Sequence, residues 1–194
     1  MKPILLICAA MVLLGCGKKA PEQQANVPDA NPPAKPKVEP IKAKATPGAT
    51  PGMEAASKAY EAGNYREAAR LYNVELAAEE AKPAPSWTQL SYLHYHLGTA
   101  LDYAGLYDKA LEHHQKDLAI ALKLRGPEHP NVAISYNNIG SMHYKKGEYD
   151  KALKHYQKAL DILLKQLGPT NLSVAYSYNN IGLVHDNKGE YDKA

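Results

Sequence analysis

The 194-residue chain contains no phenylalanine and only two cysteines, and its formal net charge is +3. Each shortage excludes something. Cys8 lies inside an apolar leader and Cys16 at its end, so the body of the chain has no thiol for a disulfide or a Cys-based zinc site and must be stable without cross-links. A charge this near zero, one unit lower still once the segment carrying Lys2 is removed, gives nucleic acid no electrostatic footprint to bind. The early apolar run, residues 4–14, is eleven residues long, too short to cross a bilayer as a helix. An HExxH element, a Gly-rich phosphate loop, a Gly-x-Ser-x-Gly elbow and a convincing catalytic triad are all missing, so no enzyme activity, cofactor or small-molecule substrate is expected.

What is present falls into three zones. In residues 1–15, Lys2 followed by the short apolar run has the form of an export signal. The run ends in Leu13-Leu14-Gly15-Cys16, which resembles the bacterial lipobox, with Leu14 a less usual choice at its position. The resemblance implies cleavage before Cys16 and lipidation of that residue. Acyl chains contribute ~0.8 kcal/mol per buried methylene, so the expected address is the bacterial cell envelope, held through lipid on Cys16. Gly17, where sorted lipoproteins retained at the inner membrane carry Asp, implies the outer membrane facing the periplasm in a two-membrane cell.

The second zone, 16–52, reads as the lipidated Cys and a disordered tether rich in Pro, Lys and Ala. Residues 17–52 hold eight prolines, six lysines and no aromatic residue, so they have too little apolar surface to offset the entropy of ordering. At ~3.1 Å per residue in extended Pro-rich form, they reach on the order of 100 Å.

The third zone, 53–194, repeats with a period of 42. Gly98, Gly140 and Gly182 are 42 apart, as are Gly63, Gly105, Gly147 and Gly189, and Tyr65, Tyr107, Tyr149 and Tyr191. Segments 133–152 and 175–194 agree at 15 of 20 positions, which points to recent duplication. Units are drawn at about 53–90, 91–132, 133–174 and 175–194, the last incomplete. Within a unit, Val132, Tyr136, Ile139 and His143 form one apolar stripe, and Ala152, Tyr156, Ala159, Leu160 and Leu163 form a facing one. Gly140 and Ala152 fall where two helices approach closely, Gly147 is placed for a left-handed helix end, and Asp150 for the first turn of the next helix. Gly126-Pro127 and Gly168-Pro169 should stop the second helices. Pro130 suits a helix opening, and Ser86 with Gln89 has capping-box spacing.

These positions resemble the tetratricopeptide repeat family, and the 42-residue period with Gly-Pro-Glu-His-Pro-Asn-Val-Ala at 126–133 is similar to its kinesin-light-chain subtype. The first unit departs from the pattern: Ala56 replaces the first-helix Gly, Glu75 the last Ala, and Pro51-Gly52 interrupts the start, so its first helix is expected near Met53. The resemblance implies an all-α fold, a right-handed α-solenoid of helix–turn–helix (TPR) repeats. Such units are held by their neighbours. The chain stops one turn into the second helix of the fourth unit, so we expect a fragment of a longer solenoid, with Tyr178, Ile181 and His185 awaiting a cover.

First helices of such a stack line its concave side. The candidate groove residues are Asn137, Asn138, Ser141, Tyr144 and Lys145 in the third unit and Asn179, Asn180, Asp186 and Asn187 in the fourth. Tyr95, Thr99 and Asp102 are their second-unit equivalents. An Asn amide donates and accepts, so a ladder of them pairs with a peptide backbone whatever its side chains. The resemblance implies the same contact for paired asparagines. A chaperone-type carboxylate clamp needs Lys at the position of Asn137 and is excluded. His113 and Asp117, four apart, are the best metal pair, but repetition of His113 as His155 favours a structural role, and no metal is expected. The expected function is therefore a membrane-anchored, non-catalytic module binding a protein or peptide partner. An assembly scaffold using the end and side faces of the stack is the alternative.

Overall fold

The computed structural model describes residues 48–194. The expected signal peptide, Cys16 and the tether up to residue 47 lie outside the described residues. Among the described residues seven helices follow one another: α1 (Pro51–Glu61), α2 (Tyr65–Glu80), α3 (Trp87–Tyr103), α4 (Tyr107–Arg125), α5 (Pro130–Lys145), α6 (Tyr149–Leu167) and α7 (Leu172–Asn187). A single 3₁₀ turn, Tyr191–Lys193, ends the chain, and there is no strand among the described residues. Each helix packs on its neighbours in sequence, and α5 also touches α7. This is an α-solenoid of helical pairs.

The two kinds of connection are built differently. From the first helix of a pair to the second, the glycine at 63, 105, 147 or 189 takes φ of +74° to +78°. The next amide then reaches back five residues, as Asn64 N does to Ala59 O at 2.8 Å and Glu148 N to His143 O at 2.9 Å, so the last carbonyls of the first helix are satisfied. Between pairs, Gly126 and Gly168 have φ near +80° with ψ of 165° and 167°. That combination is open essentially to glycine alone, so these residues stop α4 and α6 in an extended rather than a left-handed helical turn. The following first helices start on side-chain caps: Ser86 Oγ accepts from Gln89 N at 3.4 Å, His129 Nδ1 from Asn131 N at 3.1 Å and Asn171 Oδ1 from Ser173 N at 2.9 Å.

One helix start differs from expectation. Helix α1 opens at Pro51, inside the stretch read as tether, with Thr50 as its cap. Proline has no amide to satisfy in the first turn, and a side chain at Gly52 would collide with Glu75, so Pro51-Gly52 is a helix start and not an interruption. Helices α3 and α5 open at Trp87 and Pro130, in keeping with the Ser86–Gln89 cap and the opening Pro130, and α7 opens at Leu172, each a few residues before the approximate unit limits at 91, 133 and 175.

Close approach within each pair follows one rule. A small residue on the first helix receives a ring from the second. A Cβ on Gly98 would lie 2.8 Å from the His114 imidazole, and one on Gly140 would lie 2.8 Å from the Tyr156 ring. Ala56 and Tyr72, both buried, hold these places in the first pair. Ala68, Ala110 and Ala152 are fully buried on the second helices.

Candidate functional site

The predicted groove residues separate into those that face outward and those that bind the solenoid to itself. Asn179, Asp186 and Asn187 are exposed, and Asn138, Ser141 and Asn180 are half-buried. Asn137 is half-buried and its Nδ2 donates to Ser177 Oγ at 3.3 Å, bridging α5 and α7. Its Oδ1, together with Nδ2 of Asn138, lies beneath the surface without a hydrogen-bond partner. Thr99 Oγ1 donates to its own helix at Tyr95 O, 2.9 Å away, and Tyr95 is half-buried with its hydroxyl pushed up by burial and by Asp117.

Four residues read as ligand contacts pair with one another across neighbouring units. Asp102 is 2% exposed and accepts from Lys145 Nζ at 2.5 Å, while the Tyr144 hydroxyl accepts from Asn187 Nδ2 at 2.9 Å. Both pairs are 43 residues apart, one more than the period. They therefore join the next-to-last residue of one first helix to the last residue of the following first helix. The first junction has the same form: Tyr60 and Tyr103 meet edge to face at 5.6 Å. In each case the tyrosine that opens the second helix completes the joint. Tyr65 stacks on Tyr103 at 4.9 Å, the Tyr107 ring lies 5.4 Å from Lys145 Nζ, and the Tyr149 ring lies 5.9 Å from that of Tyr144. The partners Ser177 and Tyr60 were not singled out beforehand; the 43-residue spacing of Asp102 and Lys145, carried one unit back, finds Tyr60 opposite Tyr103, whereas Ser177, 40 residues from Asn137, has no such signal.

Hydroxyls line the floor between the joints. The Tyr72 hydroxyl passes the small Ala56 to meet Ser57 Oγ at 3.0 Å, and Tyr156 reaches Ser141 past Gly140. Burial raises the pKa of Tyr72 to about 12 and also raises that of Tyr156, so both rings are neutral donors. Asp102 and Lys145 neutralise each other, leaving amides and hydroxyls as the groove's working chemistry.

The histidines hold the pairs together. His94 Nδ1 meets His113 Nδ1 at 3.0 Å, and His143 stacks on His155 at 5.3 Å. Burial first, and the neighbouring histidine second, lower His94 and His155 to about 4, and burial alone lowers His96 to about 4. His113 and Asp117 do not converge: Asp117 turns inward and accepts from Ser91 at 2.6 Å and Ser135 at 2.7 Å, tying α3, α4 and α5 together. No group of three potential metal ligands exists among the described residues. Nor is any described helix long and apolar enough to cross a membrane.

The family model for the tetratricopeptide repeat matches residues 89–165 and 132–194. Among solved structures, BtubC (BKLC) from P. vanneervenii is similar with a TM-score of 0.63 at 25% identity, over 72% of this chain and 55% of that one. A putative kinesin light chain of Podosopora anserina with nearly identical TPR-like repeats gives 0.63 at 21%, over 72% and 66%. The type III secretion translocator chaperone SycD of Yersinia enterocolitica gives 0.55 at 14%, over 71% and 83%. The chain thus spans about half to two thirds of the length of the first two. Comparison with curated proteins finds no match.

Proposed function

The chain belongs to the tetratricopeptide repeat family, and from that premise we propose that it is a non-catalytic interaction module that binds an extended segment of a protein partner along its first helices, held at the envelope by lipid on Cys16. The observation that carries the reading is the unsatisfied amide pair: Asn137 Oδ1 and Asn138 Nδ2 offer an acceptor and a donor without an intramolecular partner. A buried polar group left unpaired costs about 1–3 kcal/mol, so rotation of either amide toward the groove, where a peptide backbone pairs with it, is favoured. Asn179 and Asn180 repeat the same residues one unit later, Asn179 exposed and Asn180 half-buried. Since the neighbouring charges of Asp102 and Lys145 are spent on each other, the groove suits a main chain and does not select a strongly charged ligand. Kinesin light chains and a translocator chaperone among the similar structures are in keeping with a protein ligand. The scaffold reading draws on one feature, the exposed Tyr178 and Leu172 on α7.

A display library of extended peptides tests the proposal. Selected peptides should bind the wild type and lose about tenfold or more in affinity with Asn138→Ala/Asn180→Ala, at unchanged helicity. Selection of peptides whose binding ignores both substitutions contradicts it. For the anchor, fatty-acid analogue labelling should tag the wild type and not Cys16→Ser, and the variant should leave the membrane fraction. A tag that survives the substitution removes that part of the proposal.

A further inference from the structure

Where α1 faces α3 the groove changes character. One stripe of each first helix borders it: Glu54, Ser57 and Glu61 on α1, His96, Thr99 and Tyr103 on α3, Asn138, Ser141 and Lys145 on α5. In the units with a neighbour on both sides these places stay accessible, Tyr103 being exposed and Asn138, Ser141 and Lys145 half-buried, so stacking does not cover them. Among the described first helices α1 alone sets a carboxylate on each side of the stripe's hydroxyl, and both Glu54 and Glu61 are exposed. Lys58, the cation of α1, holds the place of the buried Ala100 and Met142 and so points off the groove.

Beneath that stripe lie groups with bonding capacity to spare. The Tyr72 and Tyr92 hydroxyls both meet Ser57, the first at 3.0 Å, and lone pairs on these oxygens remain for another donor. The His96 ring packs against Tyr92 at 4.1 Å, Tyr95 at 5.0 Å and Tyr72 at 5.4 Å, but neither of its nitrogens has a hydrogen-bond partner among the described residues. It stands in the place of Asn138, whose Nδ2 is unpaired as well. Burial lowers the pKa of His96 to about 4, so near neutral pH it carries no charge to repel a cation. A guanidinium fits these groups better than an ammonium does, because it is planar, stacks on ring faces and donates to several acceptors at once. Resting on the groove reading, we infer that the bound segment sets an arginine at this place, its guanidinium against the Tyr92 and His96 rings, donating to Ser57 and drawn by Glu54 and Glu61. Charge complementarity selects the cation, and the rings select arginine over lysine. Residues 1–47 of the chain hold lysines but no arginine, so the occupant belongs to a partner. One such residue leaves the stretch along α5 and α7 free to pair through its main chain.

The probe is a display-selected extended peptide, titrated calorimetrically into the full chain. Selected peptides should share arginine at one position, and glutamine there should weaken binding about tenfold. Glu54→Gln/Glu61→Gln, at exposed sites that leave helicity unchanged, should weaken the arginine peptide similarly and the glutamine peptide hardly at all. Asn138→Ala/Asn180→Ala should weaken both. Peptides that answer to the asparagines but show no preference for arginine overturn this inference and leave the groove reading standing. Peptides that answer to the glutamates and not to the asparagines do the reverse, and a library without binders removes both. Equal affinity for a lysine peptide overturns the choice of guanidinium. Tighter binding once Lys35, Lys37, Lys42 and Lys44 are all changed to Gln shows the chain's own segment in the site and overturns the choice of a partner.

Discussion

The second and third helical pairs have one backbone plan and differently composed interiors. In α3–α4 the ring over the first-helix glycine is His114, with His94, Asp102 and Asp117 buried nearby. In α5–α6 it is Tyr156, and Ala159, Leu160 and Leu163 fill the core below it. The difference teaches that the period specifies where a small residue and a ring must meet, not the ring's chemistry. Each interior holds a histidine pair, but the second helical pair adds the buried carboxylates Asp102 and Asp117, so the two should answer differently to truncation and, in degree, to acid.

The largest expected effect is in the apolar pair. Tyr156→Ala removes a buried ring and should cost about 3–5 kcal/mol by urea denaturation, more than His114→Ala, whose ring is smaller. Equal losses would break the contrast. Next, Asp117→Leu leaves the Ser91 hydroxyl without its acceptor and Ser135 with Asn131 O alone, and should cost about 1–3 kcal/mol, with Asp117→Asn costing less because an amide oxygen remains to accept.

Acid sharpens the comparison through the sign of each shift. His94, His96 and His155 have folded pKa values near 4, below the ordinary 6.5, so between pH 6.5 and 4 the unfolded chain binds more protons. Stability is complete above pH 6.5 and falls as pH drops through that window. Asp117, raised mainly by burial, acts oppositely, because the native state favours its protonated form. His94→Leu should therefore flatten the decline in the urea midpoint between pH 7 and 4.5, and a variant as acid-sensitive as the wild type contradicts this. The smallest effect is His113→Ala, which removes the far half of a partly exposed imidazole pair and should cost about 0.5–1 kcal/mol. A melting temperature that rises with stoichiometric zinc, and ceases to do so in that variant, would show instead that the pair serves a metal.

Much of this was legible from spacing. The 42-residue period locates the helical pairs, the turn glycines and the glycine–ring contacts, because these are intrinsic to each unit. Pro51-Gly52 was misread because the pair is a breaker in mid-helix and a favourable opening in a first turn, and only Glu75, from the next helix, shows which applies. At the site, Asn138 and Asn180 are half-buried on α5 and α7, while Asp102, Tyr144, Lys145 and Asn187, read as ligand contacts, pair across neighbouring units. A repeat compares equivalent positions. The joints link non-equivalent ones, 43 apart, and that relation shows only when two helices are placed side by side.

The groove reading is tested most directly by nuclear magnetic resonance of the asparagine side-chain amides as a selected peptide is added. The account predicts that the Nδ2 signals of Asn138 and Asn180 shift and gain protection from exchange, while the Asn187 signal, already bonded to Tyr144, moves least. Perturbations confined to the second helices, with the Asn138 and Asn180 amides unchanged at saturation, would contradict it.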